Sequence, residues 1–373
     1  MRFQPRFARL PKNRAVVSEV DAAAGRLYDK LADIEPTRLD ISEYNQRYLR
    51  NQVQKLRGTI ERCAFLLSWS LADNARPLED FVFVDYGGGT GVLAMLAKES
   101  GIGKVLYSDI YDVSCRDAAL LAECVGLRAE HYVEGSIEEL IRFCHDHRYA
   151  VGALACFDVI EHIHDIDDYL AKLGCLSNRG MTAVLASSAN SHNPVTKWAL
   201  SRGHRKAEYQ DRKRQWGHKE RDHLEAFFKL RCKIISEHAP SLPDSEVSRL
   251  ATATRGLIQD EIRACVDRYL ESAELPEAPE HPTNTCDPYT GNWAEHLMDT
   301  RELQTTLVRA GFAAHVLSGY CWAFESSRIK SLAGSVLNLA IRSLGRQGLR
   351  LAPFYVLYAR KETEPEESQN GST

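Results

Sequence analysis

Short apolar runs and stretches of helical spacing alternate through the middle of the chain. Phe81 to Val84, Lys104 to Asp109, Arg128 to Val133, Leu154 to Val159 and Thr182 to Ser187 are rich in apolar, β-branched and aromatic residues, the pattern of buried strands. Between them, Val92 to Ser100, Cys115 to Val125, Ile137 to about His147 and Asp167 to Leu176 carry helix formers with apolar residues three and four apart. Strand and helix in alternation predict βαβ units and a parallel sheet.

The flanks read differently. Val16 to Ile34 and Ile41 to Asp73 predict two helices, the second long and amphipathic through Tyr44, Tyr48, Leu49, Val53, Leu56 and Ile60, and Pro77 closes this leader. Such a leader acts as a lid, as packing or as a homodimer surface. From Asn190 to about Thr300 the pattern turns helical again, with Leu224 to Ser236 and Ser245 to Leu270 as helices. That length is too great for a simple loop and predicts a cap inserted over the site, with Pro276 to Pro282 as a loop inside it. Arg301 to Ala310 predicts a helix, and Phe312 to Leu317 and Phe354 to Arg360 the last two strands. Between those strands, Arg328 to Leu351 is amphipathic, with Leu332, Val336, Leu339 and Ile341 against Lys330, Arg342, Arg346 and Arg350. A helix of that kind either lies on a membrane surface or covers its own sheet or a partner subunit. The organisation predicted is a leader over 1–76, a core over 77–189, a cap over 190–300, a closing part over 301–361 and a disordered tail over 362–373. Residues 1 to about 15 form a basic arm interrupted by Pro5 and Pro11.

Composition narrows the class. The 373 residues carry a net charge of −4, too little to imply a polyanionic partner, so a nucleic-acid partner is not expected. Ten cysteines stand singly with no C-x-x-C pair, which predicts reduced thiols in a cytoplasmic protein. No apolar run reaches the roughly 18 residues of a membrane span. Lys197 to Lys233 holds twelve Lys/Arg against five Asp/Glu, either a solvated face or an attractor for an anionic substrate.

The chemistry gathers at Asp85-Tyr-Gly-Gly-Gly-Thr-Gly91, where the first strand bends into a helix. A glycine turn there lets backbone N–H groups approach a ligand that a Cβ would block. Gly89 to Ala94 also fits the dinucleotide pattern G-x-G-x-x-A, a weak signal that leaves a nicotinamide-dependent oxidoreductase as a distant alternative. The frame Asp85-x-Gly87-x-Gly89-x-Gly91 resembles motif I of the class I S-adenosylmethionine (SAM)-dependent methyltransferases. The resemblance implies an α/β, Rossmann-like seven-stranded sheet and SAM as cofactor, with Asp85 and the glycines at its methionine end. Asp109 lies twenty-four residues beyond Asp85, near the spacing at which an acid accepts from a ribose hydroxyl pair. Ser114 reads as the N-cap of the helix that follows. The resemblance adds Ile110 beside Asp109, and Gly135 and Ser136 beside the adenine. Ser136 also reads as an N-cap, with Glu139 completing a capping box.

Asp158-Val-Ile-Glu161-His162-Ile is similar to the segment after the fourth strand in methyltransferases that modify hydroxyls of quinones, sugars and natural products. It implies that Asp158 shapes the SAM pocket and that Glu161 and His162 are catalytic, His162 as a base titrating near neutrality. A structural histidine satisfied by Asp165 or backbone is the plain alternative. In quinone O-methyltransferases and in RNA 3′-terminal ribose methyltransferases a glutamate stands where Asp158 does here, which implies a second alternative: a metal held by Asp158, Glu161, His162 and His223. His218 and Asp222-His223 loosely resemble a histidine motif of the RNA enzymes. The expectation is therefore a SAM-dependent transfer of methyl to a hydroxyl of a small molecule, glycan or lipid-linked precursor, without a metal. The alternatives are a metal-dependent RNA 3′-terminal 2′-O-methyltransferase and a non-catalytic scaffold of the same fold.

Overall fold

The computed structural model describes residues 11–177, 180–214, 218–275, 277, 285–321 and 328–361. Most of the basic arm, most of the Pro276–Pro282 loop and the acidic tail lie outside the described residues.

The leader folds as three helices, α1 (Arg14–Ala32), α2 (Glu43–Gln54) and α3 (Leu56–Ser70). The single long helix expected over Ile41–Asp73 breaks at Lys55, whose backbone (φ −120°, ψ 30°) leaves the helical region. The core then alternates β1 (Val82–Tyr86), α4 (Val92–Glu99), β2 (Lys104–Asp109), α5 (Asp112–Cys124), β3 (His131–Glu134), α6 (Ile137–Asp146), β4 (Ala153–Phe157), α7 (Ile166–Leu173) and β5 (Met181–Ser187). The cap contributes α8 (Pro194–Tyr209), α9 (Phe227–His238), α10 (Asp244–Ala253) and α11 (Gln259–Ser272). The helix expected over Ser245–Leu270 is two, since Gly256 turns the chain at φ +87°. Finally come α12 (Thr300–Arg309), β6 (Phe312–Ser318), α13 (Arg328–Ser343) and β7 (Tyr355–Lys361).

The seven strands form one sheet in the order β3-β2-β1-β4-β5-β7-β6, parallel from β3 to β5 and antiparallel at β7. β1 is buried at every position, as a strand covered on both faces must be. One face packs on α3, α4 and α5 through residues such as Phe65, Met95 and Leu121, and α1 packs over α3 and α4 through Leu27. The opposite face packs on α6, α7 and α12 through Leu140, Tyr169 and Leu307. The third strand starts later than expected: Glu130 bonds to Val105 from outside the ladder. Ser114 is not a cap. It lies inside α5, whose N-cap position is Tyr111, and its buried hydroxyl has no partner. Ser136 caps α6 in a full capping box with Glu139.

The cap has its own small core, including Ile234, Leu250, Ile262 and Val266. Arg231 and Glu208 form an ion pair inside it, both fully buried, and Arg231 Nε donates to the Ala251 carbonyl at 2.8 Å. Part of the basic excess of 197–233 therefore serves the interior of the cap rather than solvent.

Register places the strand ends. Tyr355, at the start of β7, pairs with Ser187 at the end of β5 and with Ser318 at the end of β6. The β6–β7 connection, α13 included, thus leaves the sheet at the edge where the parallel strands end, which is where open α/β sheets hold ligands.

The leader belongs to the main core. Leu27 is fully buried in the apolar cluster that also holds Phe83 and Met95. Leu27→Ala should lower unfolding free energy by about 2–5 kcal/mol in urea titration. A loss below about 1 kcal/mol would show the leader to be peripheral.

Candidate functional site

β1 delivers Asp85 and the turn bends away at once. Gly87, Gly89 and Gly91 all have left-handed φ, at +64°, +55° and +75°. A Cβ on Gly88 would stand 2.6 Å from Asp85 Oδ2 and 2.7 Å from the Tyr107 ring, so the chain passes closer to its own carboxylate than any larger residue permits. Asp85 Oδ2 accepts from the Ala94 N–H at 3.0 Å, in the first turn of α4. Burial pushes this carboxyl up to about 7, partly offset by that hydrogen bond.

A polar-lined cavity opens between this turn and the leader. Its walls include Asp85, Gly87 to Gly89 and Asp158 from the core, and Tyr48, Gln52, Thr59, Arg62 and Cys63 from α2 and α3. The sequence reading missed these leader residues as site residues. The signal was present: Tyr48 and Gln52 are four apart on α2, and Thr59, Arg62, Cys63 and Leu66 share one face of α3. Thr90 donates to Gln52 at 2.5 Å, tying the leader to the glycine turn.

Asp109 closes β2 beside that turn. Its Oδ2 accepts from the Gly89 N–H at 3.2 Å and its Oδ1 from the Tyr111 N–H at 2.9 Å. The cap reaches it too, with Lys219 Nζ at 4.0 Å. Next to Lys219, Glu220 accepts from the Tyr44 N–H at 2.8 Å and from the Tyr111 hydroxyl at 3.1 Å, so cap and leader meet over the end of β2. Ile110 is 60% exposed there. Gly135 (φ +130°) donates to the Asp109 carbonyl at 3.0 Å, while the Ser136 hydroxyl is taken up in the α6 cap.

After β4 the backbone is constrained. Asp158 is a non-glycine residue at φ +56°, and its Oδ1 accepts from the Ser188 N–H at 2.8 Å. A 3₁₀ turn, Ile160–His162, follows and buries Glu161 completely. Neither Glu161 carboxyl oxygen meets a well-formed hydrogen-bond partner, and Asp158 stands close enough to share a proton with it. Burial first, then the neighbouring carboxylates Asp158 and Glu295, drive its carboxyl well above the usual range.

The cap's returning limb seals this turn. The His296 N–H donates to the Glu161 carbonyl at 3.1 Å, and the Trp293 indole donates to the His164 carbonyl at 3.1 Å. His162 Nδ1 lies 2.9 Å from the Trp293 carbonyl, which can only accept, so Nδ1 carries a proton and Nε2 is the nitrogen turned toward Glu295. Nε2 stands 4.0 Å from Glu295 Oε1. Glu295, itself at φ +65°, has its carboxyl raised by burial. One potential ligand atom from each of Glu161, His162 and Glu295 lies within 4.8 Å of the others.

This set differs from the one the resemblance implied. His223 turns its Nδ1 to Asp287 at 2.9 Å and packs on the Tyr289 ring, and one Asp158 oxygen is held by Ser188. Glu295 takes the third place. Asp165 does not satisfy His162; it caps α7.

No family model matches the chain, and no curated protein matches it in sequence. Several solved structures resemble it in fold. The CurJ carbon methyltransferase is 10% identical over 94% of this chain and 70% of its own, with a TM-score of 0.39. A SAM-dependent methyltransferase from Archaeoglobus fulgidus is 14% identical over 75% of this chain and 86% of its own, with a TM-score of 0.33. The putative methyltransferase in complex with the Trm112 activator of Haloferax volcanii is 11% identical over 86% and 98%, with a TM-score of 0.40. The seven-stranded sheet with its antiparallel closing strand, and the glycine-bent crossover after β1, make this the α/β, Rossmann-like sheet that the sequence predicted.

Proposed function

We propose that the chain is a SAM-dependent methyltransferase acting on a hydroxyl, with a divalent cation held by Glu161, His162 and Glu295. The observation that carries this reading is the fully buried Glu161 carboxyl beside an imidazole and a second carboxylate, with its neighbour Asp158 lining the cavity of the glycine turn. A buried carboxylate without a donor is costly unless something positive faces it. The residues fit both groups: Asp85, Gly87 to Gly89 and Asp158 line an open polar cavity, and the O, N, O donor set suits a hard or borderline divalent ion.

SAM, when bound, supplies a methyl already activated on a sulfonium. A divalent ion, when bound, lowers the pKa of a coordinated hydroxyl. The chain's own part is placement and charge. Asp85, when ionised, would face the cationic methionine end, and Asp109 would accept from the ribose hydroxyls. Arg62, over the Phe157 ring at 4.4 Å, and Tyr48 wall the cavity. The Trp293 carbonyl engages His162 Nδ1, which leaves Nε2 as the nitrogen that would bind the ion. The acceptor class that suits this arrangement is a small molecule, a glycan or a lipid-linked precursor.

Burial favours the neutral form of Asp85 below about pH 7. A cationic ligand favours the ionised form and must expel the proton at lower pH. SAM affinity by calorimetry should therefore rise about tenfold between pH 6 and pH 8 and then level off. Asp85→Asn should abolish the slope; a slope that survives in this variant would remove Asp85 from the cofactor site. Asp109→Ala should weaken SAM at least about tenfold through loss of charge-assisted bonds. Tight NAD binding with no response to SAM would overturn the cofactor.

The cation is tested by titrating Mn²⁺ into the SAM-loaded protein. Glu161→Gln and Glu295→Gln should each weaken Mn²⁺ at least about tenfold. Methyl transfer that persists in EDTA but is lost in His162→Ala would instead make His162 a metal-free base.

A further inference from the structure

α13 shows the wrong face to water. Of the twelve exposed large apolar side chains among the described residues, six lie between Ile329 and Leu351. Ile329, Leu332, Val336 and Leu339 are 81%, 67%, 61% and 64% exposed, at spacings of three and four that place them in one stripe. The helix is attached to the protein by its other side. Ile341 is buried there, and Asn338 bonds to both the N–H and the carbonyl of Cys321, at 2.7 and 2.8 Å. A surface helix of a water-facing protein is oriented the other way round.

Charge selects what covers the stripe. Arg328 to Arg350 holds five Lys/Arg and no Asp or Glu, within a chain of net charge −4. Arg342, Arg346 and Arg350 are exposed at the helix's C-terminal end. A second copy of this chain would set like charges against each other across a two-fold interface. The acidic segment 362–373 has no large apolar residue to lay on the stripe, and the segment 1–10 is itself basic. An apolar stripe in a segment whose charged residues are all cations fits an anionic lipid surface.

We propose that α13 docks the protein on an anionic bilayer, with its apolar stripe among the acyl chains and its arginines at the headgroups. Position in the fold gives the docking a purpose. The β6–β7 connection leaves the sheet at the edge that carries the candidate site, and Asn190, just after β5, pins it there by donating to the Leu349 and Ala352 carbonyls at 2.9 and 2.8 Å. A docked α13 brings that edge to the membrane. Resting on the methyl-transfer reading, the acceptor is then an amphiphile resident in the bilayer.

Co-sedimentation of the full chain with vesicles tests the docking, using phosphatidylcholine alone and phosphatidylcholine mixed with phosphatidylglycerol. Binding is expected to the anionic vesicles only and to fall with salt. The doubles Leu332→Glu/Leu339→Glu and Arg342→Glu/Arg346→Glu should each reduce it roughly tenfold or more. All four positions are exposed, so SAM affinity should match that of the unmodified chain. No binding to anionic vesicles, or binding indifferent to Leu332→Glu/Leu339→Glu, overturns the proposal. So does a dimer that the leucine double dissolves while vesicles stay bare. An unmodified chain that binds vesicles but not SAM defeats the methyl-transfer reading and leaves the docking standing.

Discussion

Glu161 is an acid sealed from water and crowded by two more carboxyls, Asp158 and Glu295, and the surrounding structure is arranged so that it stays there. Left alone, such a group escapes to solvent or takes up a proton. Escape is blocked on both sides. The 3₁₀ turn that carries it follows a residue held in left-handed backbone, and its carbonyl is claimed by the cap through His296. Both Asp158 and Glu295 occupy a backbone region that side chains disfavour, and strain of this kind persists where neighbours over-determine it. Here it aims two segments from opposite sides of the cap insertion at one point.

The cap and the leader are therefore parts of one enclosure over a common edge. The leader supplies the wall facing the glycine turn, through Tyr48, Gln52 and Arg62. The cap supplies Glu295 at one end of the site and Lys219 with Glu220 at the other. They join where Glu220 bonds to Tyr44 and Tyr111, beside Asp109. A change in either insertion is felt at the cofactor edge without touching the sheet. The sheet itself sets only where the ends of its strands lie.

What could be read from the chain follows the range of the physical signal. The β1 glycine turn, the Ser136–Glu139 capping box and the position of Asp109 at the end of β2 are local, written within a few residues, and the structure has them where the pattern put them. Helix breaks at Lys55 and Gly256 escaped notice because apolar spacing continues across them. Ser114 looked like a cap because it precedes an apolar run, yet α5 begins earlier and encloses it. Glu295 had no local mark at all: nothing in Trp-Ala-Glu-His distinguishes a ligand from a surface acid. Its partners are brought to it by the backbone pairing of 293–296 with 161–164, a tertiary event.

Asp85 and Glu161 make the point by contrast. Both are buried acids at the same sheet edge, and burial pushes both upward. Asp85 has the Ala94 N–H and the N-terminus of α4 in front of it, so part of its charge is met by the protein and its carboxyl settles near neutrality. Glu161 is crowded by the carboxyls of Asp158 and Glu295, which push it further upward, with the Cys156 thiol and Tyr355 also among its neighbours. One acid is compensated from within the fold. The other gathers a second carboxylate and an imidazole around it, and such a cluster is intelligible as half of a binding site whose other half is a cation.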